Sequence, residues 1–455
     1  MIDQEDVVAW LCTQAAALIA APADMGVLEK VLDRVSLECR RQALARLVQQ
    51  AADRQPLLCP VCHEALTVEA HRRARQVKTS FGMVRFTRGY GFCADCGQHV
   101  CPLDVTLGLQ PRAPASPRVQ EICALTALRA PAGQVQDDVR RLTGLELDAS
   151  SLHREARRQG ERALRLRQAD TALTQTVAGV AQLAARARTP AAPFTLVIEI
   201  DAWNIRERDN WGRTKALRAA GQDSGRWHWV YTGTVFRLDQ RGTTAAGRPI
   251  IAERGFVATR KGVDGFQSQL HAEAIQRGLL QAAHVLVLAD GAVWIWNLVA
   301  DRFQDAAQRV DLYHIKEHLW TLANELFGQG TDQATHWVTP FLHWLQRRKD
   351  GAVDVLEGLE GLRSTLRQLS KAQGDCLERE ISYFREHQKR MDYKTGKALG
   401  QPVGSGAIES TCSQYQRRFK LTGQFWSLAG DEAFLALATL HRNGRWSKLF
   451  PHDSS

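Results

Sequence analysis

The chain reads as a multidomain α+β protein, with helical regions on either side of a small cysteine module and a larger α/β domain behind them. Three observations predict this. Paired cysteines are confined to a short β-rich stretch between residues 59 and 96. From residue 195 onward, continuous Val/Ile/Leu runs alternate with amphipathic helical stretches, the pattern of strands buried on both faces. At 455 residues the chain also exceeds one ordinary core, so two to four domains are expected. A hydrophobic share of 44% and a charged share of 24% are globular values.

Residues 1–55 form the first helical region, with an amphipathic stretch from Val27 to Ala51 suited to a helical pair or a self-association element. Residues 56–110 change character. Cys59-Pro-Val-Cys62 and Cys93-Ala-Asp-Cys96 are two CxxC knuckles, and Phe81 to Tyr90 between them alternates as a hairpin does. Each knuckle offers two thiolates to one corner of a tetrahedral Zn²⁺ site, so the pair predicts a structural zinc ribbon. His63, His99 and Cys101 stand close enough in sequence to substitute as ligands.

Gln110 to Pro117 is a Pro-rich link. The region 118–190 then divides into three short helices, 118–128, 133–142 and 150–166. Thr143-Gly144 makes the turn, and Asp148 or Ser150 caps the third helix. This is the arithmetic of a helix-turn-helix, with Ser151, His153, Arg154, Arg157 and Arg158 available to DNA on the last helix. An arginine-rich solvated connector is the blander alternative.

The α/β domain begins at residue 194. Strands are expected at 195–201, 227–238 and 248–259, then a helix over 266–282 and a strand over 285–290. A helix over 293–303 and a short strand over 309–313 follow. Three strands in meander, then helix, strand, helix, strand, helix, is the element order of the ribonuclease-H-like fold. The core runs over 194–328, a polar all-helical insertion over 329–400, and the closing part of the core over 401–450.

Two apolar strands each end in an aspartate, Asp201 and Asp290, and Glu409 follows where Val403-Gly-Ser-Gly-Ala-Ile-Glu409 enters a helix. Carboxylates at the carboxyl ends of neighbouring parallel strands share the sheet rim where such folds place ligands. Three acids there repel one another unless divalent cations neutralise them, which is the chemistry of two-metal phosphodiester cleavage. Glu199 shares a face with Asp201 and is an auxiliary or outer-shell candidate. Asp209 and Asp223 read as solvated. In Asp311-Leu-Tyr-His314, with His318 a turn later, the histidine either contacts a scissile phosphate or is a satisfied core residue behind a capping Asp.

Taken together, these motifs resemble bacterial insertion-sequence transposases of the Mutator-like D-D-E kind, in the Kra-type group with an amino-terminal zinc ribbon. The signatures are the two cysteine knuckles, Pro102 to Leu109, Ile200-Asp-Ala-Trp203, Ala289-Asp-Gly-Ala-Val-Trp294, Asp311 to His314, Gly404 to Glu409 and Arg417 to Trp426. The resemblance implies that Asp201, Asp290 and Glu409 hold two Mg²⁺ ions, with Mn²⁺ as a substitute. It makes the partner double-stranded DNA, both terminal inverted repeats and target, acted on by a homodimer or higher oligomer. Ala202 departs from the Gly that many relatives carry.

Arg417, Arg418 and Lys420 follow Glu409 and suit phosphate contacts. Trp426, Trp337 and Trp344 are candidates to stack on a displaced base. A net charge of +10 favours a polyanionic partner. No apolar run is long enough to span a membrane, and acidic residues precede Leu11–Ala21 where a signal peptide needs basic ones. A cytoplasmic enzyme is therefore expected. A non-cleaving DNA-binding derivative and a nuclease without strand transfer are the rival readings.

Overall fold

The computed structural model describes residues 4–19, 23–208, 212–222, 225–247, 249–365 and 369–451. Its contacts divide the chain into two units, one running to Gln159 and one from Gly160 to Pro451. The architecture is mixed α/β, and among the described residues no helix is long and apolar enough to cross a membrane.

In the first unit, helices α1 (Gln4–Ala16) and α2 (Met25–Arg54) precede a three-stranded antiparallel sheet. Asp24 starts α2 because its carboxylate accepts the Val27 N–H at 2.9 Å. Strands β1 (Thr67–Thr79) and β2 (Gly82–Cys93) form a long hairpin, and β3 (Gln98–Val100) pairs with β2. Val84 and Phe86 point inward by strand alternation. With Val77 they meet Leu44, Ala45, Val48, Ala51 and Ala52, so α2 and the hairpin share one core.

Asp104, on the short helix α3 (Pro102–Thr106), accepts from Arg88 Nε at 2.8 Å and Arg75 Nη1 at 2.5 Å, which ties both strands of the hairpin to α3. Helices α4 (Pro117–Ala127), α5 (Ala132–Thr143) and α6 (Ala149–Leu173) stand where the three short helices were expected, α6 running seven residues further. Gly144 ends α5 in the left-handed region at φ 68°, and Asp148 starts α6 by accepting the Ser151 N–H at 2.8 Å.

The second unit opens with the part of α6 from Gly160 onward and continues with α7 (Val177–Ala184), β4 (Thr195–Glu207), α8 (Thr214–Ala219) and β5 (Arg226–Arg237). After β6 (Arg241–Thr243), β7 (Pro249–Ile251) and β8 (Gly255–Thr259) come α9 (Gly262–Gln276), β9 (His284–Ala289), α10 (Val293–Arg302) and β10 (Ala307–Val310). The main sheet has the order β10-β9-β4-β5-β8. Strands β10, β9 and β4 run parallel, while β5 and β8 are antiparallel to their neighbours.

A helical block follows: α11 (Leu312–Phe327), α12 (Asp332–Arg347), α13 (Gly351–Thr365), α14 (Lys371–His387) and α15 (Tyr393–Ala398). The last helices are α16 (Gly406–Phe419) and α17 (Leu428–Arg442). One face of the sheet buries Ile198, Ile200, Val235 and Val287 against Phe266, Leu270, Ile295 and Leu319. The other buries Val197, Phe236 and Leu286, with Ala407 of α16 packed on them.

Four expected boundaries change. Asp201 is not the end of its strand, because β4 continues as a half-buried strand in which Trp203, Ile205 and Glu207 alternate inward. The continuous apolar run stops there only because one face of the sheet is no longer covered. The expected strand 248–259 is two strands: β7 pairs with β6 in a separate ribbon, and only β8 joins the main sheet. Helix α9 stops at Gln276, before Gly278 turns the chain at φ 100°. Strand β10 stops at Val310, since Asp311 caps α11 by accepting the His314 N–H at 2.8 Å.

Candidate functional site

Strand register builds the site. Beta-strands β4 and β9 pair in parallel up to Ile200↔Ala289, and β9 and β10 up to Ala289↔Val310. The next residue on each strand is an aspartate, so Asp201, Asp290 and Asp311 form one row at the carboxyl rim of three parallel strands. These three, with His314, Ser405 and Glu409, line one open cleft.

Glu409 arrives on the first turn of α16, and two buried acids fix that helix start. The Glu199 carboxylate, 1% exposed, accepts the Ile408 N–H at 2.8 Å. Asp311, 3% exposed, accepts the Ser405 N–H and so carries a second tie beside its cap on α11. The loop is held further by Leu312 N–H donating to Val403 O at 2.9 Å. Ser405 Oγ donates to Glu409 Oε1 at 3.2 Å. Amides of a helix first turn lack internal partners and attract anions, which is why carboxylates hold this end. Glu199 and Asp311 therefore act behind the cleft acids: Glu199 is spent on an amide, and Asp311 caps as the blander reading expected.

Burial raises the Asp201 carboxyl, and the nearby Asp290 and Glu409 charges add to the rise. The Ala202 N–H, donating at 2.6 Å, and the Cys412 thiol partly oppose it. Burial likewise pushes Glu199 up to about 8. Three carboxylates offering hard oxygen donors are a donor set that fits a divalent cation. They do not lie within 4.8 Å of one another, a mutual distance that among the described residues the four cysteines reach.

Behind His314 lies a chain of groups the sequence did not reveal. His314 Nε2 is 3.3 Å from His318 Nε2, and His318 Nδ1 is 2.6 Å from an oxygen of Glu380, which is 1% exposed on α14. The Tyr383 ring stacks on His318 at 3.9 Å. Glu380 and Tyr383 escaped the sequence reading because a polar helix some seventy residues beyond the histidines carries no motif. Only their spacing on one helix face hints at a shared surface.

In the first unit the four knuckle thiols lie close together and can bind a structural zinc. Cys59 and Cys96 Sγ are 3.8 Å apart, and Cys62 and Cys93 Sγ 3.4 Å. A tetrahedron with Zn–S near 2.3 Å has an edge of about 3.8 Å. The backbone N–H groups of Cys62 and Val61 pull the Cys59 thiol down to about 6. His99 instead pairs with Glu69 at 3.2 Å, and neither it nor His63 nor Cys101 joins the cluster.

The expected DNA contacts divide. On α6, His153, Arg154 and Arg157 are exposed, and Arg158 is half-buried in an ion pair with Glu155 at 2.7 Å. Arg417 and Lys420 are exposed after Glu409. Arg418 is not: it is buried, with its guanidinium 5.2 Å over the Trp426 ring and 5.8 Å over Phe434, and burial brings it down to about 10. Core-facing positions on a helix recur every third or fourth residue, and Arg418 falls in that series with Ile408, Thr411, Cys412 and Tyr415.

The three tryptophans named as stacking candidates also belong to cores. Trp426 is 4% exposed and donates to Phe419 O at 3.0 Å, and Trp337 and Trp344 pack on the main core of the second unit. Asp209 and Asp223 lie outside the described residues. No protein-family model matches the chain, and no curated protein matches it significantly.

Proposed function

We propose that the chain is a DDE transposase, a metal-dependent enzyme that cuts and joins DNA strands at transposon ends. One observation carries this reading: strand register sets Asp201 beside Asp290, and α16 delivers Glu409 to the same cleft from more than a hundred residues away. In it the second unit is a ribonuclease-H-like core with α12 to α15 as the all-α insertion. The four-cysteine hairpin is a zinc ribbon. Helices α4 to α6 are a helix-turn-helix offering His153, Arg154 and Arg157 to duplex DNA, in an assembly of two or more copies.

Asp201, Asp290 and Glu409 would hold Mg²⁺, or Mn²⁺ in its place, which when bound supplies Lewis acidity to the attacking and departing oxygens. Glu199 and Asp311 keep the start of α16 seated so that Glu409 faces the other two acids. Glu380, through His318, holds the His314 ring at the cleft, where it donates to a scissile phosphate or orients a ligating carboxylate.

The test is incubation of the purified protein with labelled terminal inverted repeats and Mg²⁺. Nicking at the ends and joining to a target are expected. Binding without nicking favours the non-cleaving derivative, and nicking without joining favours a simple nuclease. Asp290→Asn should abolish cleavage while duplex binding stays within about twofold; retained cleavage would remove Asp290 from the site.

A further inference from the structure

Strands β4 and β5 outrun their neighbours. Strand β9 leaves β4 at Ile200, and β8 leaves β5 at Tyr231, yet β4 and β5 stay paired to Glu207↔Arg226. The last five pairs, from Trp203↔Val230 onward, therefore form a two-stranded ribbon beyond the sheet. One face of it is covered, with Trp203, Ile205 and Glu207 buried. The other presents Asn204 opposite Trp229 and Arg206 opposite Trp227, and these two tryptophans are 52% and 59% exposed.

Cations lie beside Trp227 and the neighbouring Phe425. Arg206 Cζ lies 6.0 Å from the Trp227 ring and 5.0 Å from Phe425, Arg208 Cζ lies 3.9 Å from Phe425, and Lys420 Nζ lies 5.8 Å from Trp227. The sequence over 203–231 and 417–426 carries nine Lys and Arg against three acids: Asp209 and Asp223, outside the described residues, and Glu207, which is 1% exposed and bound to Arg260 on the covered face.

We infer that this ribbon face binds an unpaired DNA strand, whose bases stack on Trp227 and Trp229 while its phosphates meet the surrounding cations. The inference rests on the nucleic-acid reading above and extends it to a single-stranded partner. Residues two apart on a strand stand about 6.8 Å apart, twice the spacing of stacked bases, so the two rings leave room for one base plane between them. A duplex keeps its base faces inside the stack, and exposed rings therefore select the unpaired form. This excess of positive charge in the sequence fits a polyanion better than an apolar protein surface. Asp201 pairs with Thr232, three residues from Trp229 and on the opposite face of the ribbon. Trp229 thus stands about 10 Å and Trp227 about 17 Å along the strand from the cleft acids, and neither takes part in chemistry.

The test uses the full chain without Mg²⁺ and a fluorescein-labelled single-stranded oligo(dT) 20-mer. Stacking of about 1–3 kcal/mol per base makes each ring worth at least about fivefold, so Trp227→Ala with Trp229→Ala should weaken binding at least about 25-fold. The double Phe variant should stay within about threefold of wild type, and all forms should keep duplex affinity and the same melting temperature. Unchanged oligo(dT) binding by the double Ala variant, or none by the wild type, overturns the inference. So does a change confined to sedimentation, which would make the face a contact between copies. Intact oligo(dT) binding by a protein that never nicks its ends defeats the proposed reaction and leaves this surface standing.

Discussion

Gly291 follows Asp290 directly, and its missing side chain is a steric requirement. A Cβ built there would lie 2.3 Å from Tyr383 Oη, 2.5 Å from Cε2 and 2.7 Å from Cζ. Ordinary carbon contacts begin near 3.4 Å, so the ring would have to retreat by about 1 Å. It has nowhere to go, being stacked on His318 at 3.9 Å and set edge-on to His387 at 4.6 Å. Gly291 is not among the glycines with positive φ, so backbone strain adds nothing. Overpacking of this kind costs about 1–3 kcal/mol. At roughly 2–4 °C per kcal/mol, Gly291→Ala should lower the melting temperature by about 2–12 °C. Differential scanning calorimetry would read it, alone and in a Tyr383→Leu background. In that background the ring is gone and the added methyl should cost under about 0.5 kcal/mol, a coupling of at least about 0.5 kcal/mol. Equal penalties in both backgrounds would refute the reasoning, because the cost would then not come from the Tyr383 ring.

Three other outcomes are expected. The purified protein should release one zinc per chain to a thiol-reactive mercurial, and Cys59→Ser should lower that to well under one while destabilising the hairpin; a full equivalent from the variant would exclude Cys59. Glu199→Gln keeps an oxygen for the Ile408 N–H, whereas Glu199→Val leaves that amide only Ser405 O at 3.0 Å, at a cost of about 0.5–1.5 kcal/mol. Gln should therefore preserve stability and the Mg²⁺ dependence of cleavage that Val loses, and equal loss with Gln would make Glu199 a metal ligand. Asp431, sealed at the start of α17, is raised by burial first and by Glu207 second. In the folded state it keeps a proton that the unfolded chain gives up near pH 4, so stability falls as pH rises from there until the folded group ionises. Asp431→Asn should flatten that decline and be the more stable form at pH 9 than at pH 6 relative to wild type; parallel melting curves across that range would count against it.

The sequence by itself determined the local elements and the residues that mark them. Continuous apolar runs located β4 and β9, because a strand covered on both faces tolerates few polar residues. Knuckle spacing located the four thiols, because a CxxC turn is local, and Gly144 and Asp148 located the helix ends through capping. What it left open depends on neighbours far along the chain. Only the register of three parallel strands aligned Asp201, Asp290 and Asp311, and only packing spent Glu199 and Asp311 on the amides of α16. Packing buried Arg418 and Trp426 and set Trp337 and Trp344 half-buried on the core, while the outrunning of β4 and β5 left Trp227 and Trp229 in solvent. Glu380 and Gly291 gained their partners the same way. Hydrogen bonds within a turn are fixed by adjacent residues, but burial and cross-chain contacts are properties of a surface, which exists only once distant segments have met.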